Sequence, residues 1–168
     1  LLGLWCQICK NRDNSYIDTF WGLMFCIMNA IALAMRGDEI TARMLIASIP
    51  VFFWGLRLAY YVGTRHKNED WRYKKMREEF EAKGDCAYFT YAFGFVFLGQ
   101  SICSAITNST VLFIITYSVD NDLFYTDFIG LFIWVIGYII EITADRQLAE
   151  HLKNPRPGTG KFIRSGLW

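Results

Sequence analysis

Histidine, proline and surplus charge are scarce in this sequence. Its 168 residues include two histidines and three prolines, and the formal net charge is +1. So even a balance provides no broad basic field for a nucleic acid, and none is expected as a partner. The two histidines, His66 and His151, are far apart in the chain. The one C-x-x-C pair, Cys6-Gln7-Ile8-Cys9, has no second pair beside it, so it reads as small apolar residues at a helix end and no metal site is expected. The five cysteines lie mostly in apolar segments and do not make a secreted disulfide framework. No charged n-region or cleavage motif opens the chain. It begins at Leu1 in what reads as the last turns of an apolar helix, so residues before Leu1 are expected. The most telling absence is internal: 86–119 contains no Asp, Glu, Lys, Arg or His.

Apolar and aromatic residues fill the space. They make up 54% and 17% of the chain, both high for a soluble protein. An uncharged run longer than about 18 residues reads as membrane-spanning, and so small a chain cannot bury several of them. The expected fold class is all-α: a polytopic transmembrane helical bundle with about four to five membrane segments plus a surface helix. A single membrane domain over 1–168 is expected.

In order, 1–9 is the tail of a first span or a short interfacial segment, and Asn14-Ser15 is a turn and helix start. A span follows over 17–35, ended by Gly37. The next, 41–62, is kinked at Pro50. A polar interruption, 63–85, reads as a surface helix. It has Lys74 with Glu78 and Lys75 with Glu79 at helical spacing, and Trp71 and Tyr73 suited to the headgroup zone. The uncharged run is longer than one straight span, so it tilts, extends beyond the bilayer, or breaks near Gly99 or Asn108. Asn108-Ser109-Thr110 matches a glycosylation acceptor, but inside an apolar run the match is chance. The last apolar helix, 128–142, starts from Thr126 and passes into a membrane-exit helix and basic tail, 144–168.

Alternating sides through these segments puts fourteen of the seventeen lysines and arginines on one side. By the positive-inside pattern, 63–85 and 144–168 face the cytosol or the mitochondrial matrix. An integral membrane protein of the mitochondrial inner membrane or endoplasmic reticulum is expected, with lipids as its neighbours. Within or near the spans, Asp18, Arg57 and Glu141 are costly enough to be functional candidates, or a structural tie in which Arg57 pairs with Asp18 or Glu141. Glu141 and Asp145 share a helix face. Gly158-Thr159-Gly160-Lys161 offers backbone amides and a cation but lacks the rest of a phosphate loop, so it reads as a flexible loop.

Five motifs then occur in sequence order: Asn14-Ser15-Tyr16-Ile17-Asp18 with Trp21-Gly22; Trp54-Gly55-Leu56-Arg57-Leu58; Glu69-Asp70-Trp71-Arg72-Tyr73; Ala144-Asp145-Arg146-Gln147; and Gly160-Lys161-Phe162-Ile163 with Gly166-Leu167-Trp168. The series resembles the steroid 5-alpha-reductase superfamily, in its branch of uncharacterised membrane reductases, with the architecture shared by isoprenylcysteine methyltransferases. The resemblance implies a helical-bundle membrane fold. It also implies NADPH bound at the membrane surface and reduction of a carbon–carbon double bond in a sterol or other lipid. On that reading Tyr73 and Glu69 are the catalytic candidates, Tyr73 as proton donor. Arg57, Asp70, Arg72, Asp145, Lys153 and Lys161 are the cofactor-binding candidates.

Two departures from the family pattern matter. The family continues after Gly-Leu-Trp with an Arg-His-Pro-Asn-Tyr segment, and this sequence stops at Trp168. Two positions that are commonly basic after the A-D-x-Q element are Leu148 and Leu152 here. Leucine offers a phosphate neither charge nor donor. The expectation is therefore a non-catalytic accessory or structural subunit of a larger membrane complex, with other membrane subunits as partners and no bound cofactor. The alternative is an active NADPH-dependent reductase whose sequence continues further.

Overall fold

The computed structural model describes residues 12–65, 69–119, 122–154 and 163–168. These are helical, with no strand among the described residues, and four helical stretches are long and apolar enough to cross a membrane. The chain forms two compact units, Leu1–Asp122 and Leu123–Trp168. The expected first span over 1–9, with Cys6 and Cys9, lies outside the described residues, as do His66 and the 158–161 loop.

The first unit is built around α1 (Tyr16–Arg36), which a 3-10 turn (Gly37–Glu39) joins to α2 (Ala42–Arg65). Gly37 ends α1 as expected, at φ +55°, where a glycine carries no Cβ penalty. The α1–α2 crossing is set by small residues. A methyl on Gly22 would strike the Gly55 carbonyl, and one on Gly55 would meet the Gly22 carbonyl at 2.5 Å and Cys26 Sγ at 2.7 Å. Glycine at both positions lets the two backbones touch, which is how helices pack tightly in lipid without a hydrophobic driving force between them. Gly55, Ala59 and Gly63 recur every four residues and so share one face of α2. Pro50 sits inside α2, which stays helical on both sides of it.

A short surface helix, α3 (Trp71–Glu81), follows. The uncharged run then begins as α4 (Asp85–Tyr91), winds as a π-helix through Ala92–Leu98, and continues as α5 (Gly99–Tyr117). The sequence left tilting, extension beyond the bilayer, or a break near Gly99 or Asn108 open; the π-winding ends at Leu98, next to Gly99. Asn108 is buried in mid-span, consistent with a chance glycosylation match. α5 lies along α1: Ser104 Oγ faces Met24 Sδ, Asn29 bonds Asn108, and Arg36 donates to the carbonyls of Thr116 and Ser118. A cation on those last carbonyls satisfies groups that a helix C-terminus leaves open. Ile17, Met24, Tyr91 and Val96 form the core, with Phe20, Tyr73, Phe80 and Phe97 packed on it.

Local expectations were refined in three places. Ser15 does not cap α1; Asp13 Oδ1 accepts from the Ser15 amide (2.9 Å) and hydroxyl instead. Lys74 reaches Glu78, whereas Glu79 is bridged by Lys83 at 3.3 Å. The last apolar run and the expected membrane-exit helix are one continuous helix, which ends at Lys153.

That helix, α6 (Tyr125–Lys153), makes up most of the second unit. Its 29 residues span about 44 Å at 1.5 Å per residue, more than the ~30 Å hydrocarbon core. The excess, about 14 Å, matches the charged end from Asp145 to Lys153.

Candidate functional site

In the first unit the start of α1, the surface helix α3 and the start of α4 meet in a network of charges. Asp70 caps α3: its Oδ1 accepts from the Arg72 amide at 2.9 Å, and its own amide donates to Ser15 Oγ at 3.3 Å. The Arg72 guanidinium returns to the same carboxylate through two bonds of 2.9 and 3.1 Å, and lies 3.9 Å from Asp18. Arg77 holds Glu69 through both carboxylate oxygens (2.9–3.1 Å) and Glu81 at 2.9 Å. Arg12 takes Glu81 and Asp85, each at 3.0 Å. Bidentate, charge-assisted pairs of this kind are the strong ones, and they consume donors that a phosphate would need.

These pairs fix the protonation states. The Arg72 guanidinium holds the Asp70 carboxyl below its ordinary value, and Asp70 raises Arg72 in turn. Glu69 above all raises Arg77. Among the described residues, Asp18, Glu69, Asp70, Glu81 and Asp85 share the guanidiniums of Arg12, Arg72 and Arg77.

Beside the network a cavity of about 470 Å³ opens between α3 and the π-wound segment. Its walls are mainly apolar: Met76, Phe80, Tyr91, Phe95 and Val96. Phe80 and Tyr91 stack with centroids 4.3 Å apart, and Tyr91 Oη donates to Met76 Sδ. The polar end is Arg72, Tyr73 and Gln100, with Glu79 also lining the cavity. Tyr73 Oη donates to Asp18 Oδ1 at 2.8 Å. Burial, and then the Asp18 charge, push the phenol well above its ordinary value, so it keeps its proton throughout the physiological range.

The expected site residues divide as follows. Glu69, Asp70, Arg72 and Tyr73 come together at this end of the first unit. Arg57 lies inside α2 with its guanidinium 5.6 Å from the centre of the Tyr61 ring. Asp145 and Lys153 are on α6, in the second unit, and Lys161 lies outside the described residues. In the second unit two motifs fold onto each other. The Leu167 amide donates to Gln147 Oε1 at 2.9 Å, and Trp168 Nε1 donates to the Ala144 carbonyl at 3.1 Å. Gly166 adopts φ +77°, and any side chain there would strike Gln147. A polar cavity of about 360 Å³ opens beside them, lined by Gln147, Glu150, His151, Asn154 and Ser165 among others. Of the two departing leucines, Leu148 is half-buried and Leu152 is exposed.

The sequence did not reveal the bond between Asp18 and Tyr73. Both residues were marked, but 55 positions separate them and no pattern links them.

Residues 4–168 match a family described as a protein of unknown function, DUF1295. The chain belongs to the DUF1295 family. No curated protein and no solved structure matches it. DUF1295 lies in the steroid 5-alpha-reductase-like superfamily, in keeping with an integral membrane bundle of apolar helices.

The residues around the cavity of this DUF1295 protein are a poor fit to a dinucleotide's phosphates. Arg72 and Arg77 are already paired with carboxylates. They suit an uncharged ligand with one hydrogen-bonding end.

Proposed function

We propose that this DUF1295 chain holds the polar end of a neutral lipid in the cavity between α3 and the π-wound segment, without catalysing a reaction. On this reading it is an accessory subunit of a larger membrane assembly, in the membrane-reductase branch of its superfamily. One observation carries the reading. Glu69, Asp70 and Arg72, candidates for chemistry and cofactor binding, are locked into ion pairs around an apolar cavity. A neutral lipid fits such a wall because burying its apolar part needs no charge, while the Tyr73 oxygen and Gln100 offer polar contacts for a hydroxyl. At the end that carries α3, the first unit has Arg12, Arg65, Arg72, Lys74, Lys75, Arg77 and Lys83; at the other it has Arg36 and Arg43. By the positive-inside rule the α3 end faces the cytosol or the mitochondrial matrix.

A second reading, reduction of a double bond in a lipid, is favoured by Tyr73. Its phenol keeps a proton at the cavity wall, bonded to Asp18, as a general acid requires. NADPH would supply the hydride in that case.

Purified full-length protein separates the two readings. Mass spectrometry of the protein from native membranes should show a retained neutral lipid, depleted in a Val96→Phe variant that adds bulk at a buried wall residue. Co-purification with other membrane subunits in fixed stoichiometry supports the accessory role. NADPH binding at micromolar concentration, with NADPH consumed on adding an enone lipid, would overturn the non-catalytic reading.

A further inference from the structure

The interior of the first unit contains a polar layer that neither the charged end nor the cavity uses. Asn29 of α1 donates from Nδ2 to the Phe25 carbonyl (2.8 Å) and to Asn108 Oδ1 of α5 (3.2 Å). The register of α2 against α1 assigns Ser48 of α2 to the same level. α1 and α2 run antiparallel, Gly22 against Gly55, then Cys26 Sγ against the carbonyls of Val51 and Phe52. The next step along that pair brings Ser48 to Asn29. All three residues are at most 2% exposed. Each retains one buried polar atom without a hydrogen-bond partner among the described residues: Asn29 Oδ1, Asn108 Nδ2 and Ser48 Oγ. Buried polar atoms in a membrane-spanning bundle are costly unless they are satisfied.

Ser48 points the same way. A helical serine or threonine has the carbonyl four residues back within reach of its hydroxyl. Ser101, Thr64, Thr107, Thr116 and Thr143 all make that bond, at 2.8–2.9 Å. Ser48, more deeply buried than any of them, does not.

The three atoms define the chemistry of what would satisfy them. One only accepts, one only donates, and one does either. A cation would meet the Asn108 amide hydrogens, and an anion would meet the Asn29 carbonyl. A small neutral molecule that donates twice and accepts once fits all three. We propose that this layer binds one water molecule. It donates to Asn29 Oδ1 and Ser48 Oγ and accepts from Asn108 Nδ2, the three bonds typical of a buried water. It ties α2 to the Asn29–Asn108 pair and so fixes the rotation of all three spans.

Solid-state NMR of full-length protein in lipid bilayers, with asparagine side chains labelled with nitrogen-15, tests this by magnetisation transfer from water protons. The expected result is a water cross-peak at the Asn108 side-chain amide, and its loss in Ser48→Val, which removes the hydroxyl and fills its space. A wild-type spectrum with no water transfer to Asn108 overturns the proposal, and this holds even if Ser48→Val fails to fold. Full retention of the peak in a folded Ser48→Val protein overturns it as well.

Discussion

The two polar regions of the first unit, the charged end around α3 and the layer in mid-bundle, obey different rules. At the charged end, partners are plentiful and water is near. Arg12, Arg72 and Arg77 each meet at least two carboxylates, and the loss of any one contact is softened by solvent. In mid-bundle there are three small polar side chains, and Asn29 with Asn108 is the one bond between spans found among them. The same hydrogen bond therefore matters more where nothing can replace it. Charge at the surface tolerates change, and a neutral amide in the interior does not.

The comparison breaks most severely if the frame beneath both regions is removed. Gly55→Leu puts a side chain where the Gly22 carbonyl and Cys26 Sγ stand. Overpacking of this kind costs ~3 kcal/mol or more, so the variant should fail to accumulate as folded protein by detergent size-exclusion chromatography. Next is Asn108→Leu, which leaves the Asn29 side chain short of a partner and should cost ~2 kcal/mol in a denaturant titration. The double change Asn29→Leu/Asn108→Leu should recover most of that loss, because the stranded polar atoms go together.

Glu69→Ala frees Arg77 from a bidentate partner but leaves it Glu81, so the expected loss is ~1 kcal/mol by the same titration. Acid should act in the same region through Asp70. Its folded pKa is depressed, so its contribution is fully present above the unfolded value of about 4 and is lost as pH falls through the lower folded value. Protection of the Arg72 amide, which Asp70 caps, should be constant from pH 8 to 5 and decline below pH 4. Smallest of all is Arg12→Ala, whose exposed pairs should leave the melting temperature unchanged within error.

Much of the fold was legible because hydropathy acts locally. The uncharged run, the Gly37 stop and the surface position of α3 follow from residues close in the chain. Lys74 with Glu78 follows from helical spacing alone. The membrane-exit helix after Ile142 was legible too, because Glu141, Asp145 and Gln147 keep helical spacing with the apolar run before them, and α6 continues through it to Lys153. At the candidate site, Asp18 and Tyr73 could be marked but not joined, since their contact depends on α3 folding back over the start of α1. The π-winding that lines the cavity leaves no periodic signal in so uniformly apolar a run.

On the proposed function, the charges around the cavity are spent on one another, and it takes a neutral lipid and not a nucleotide. Calorimetric titration of NADPH into the purified full-length protein tests it most directly. Heats indistinguishable from dilution up to millimolar NADPH, in protein that still retains its lipid, are the predicted result. Saturable binding at micromolar NADPH, weakened by Arg72→Ala, would contradict it.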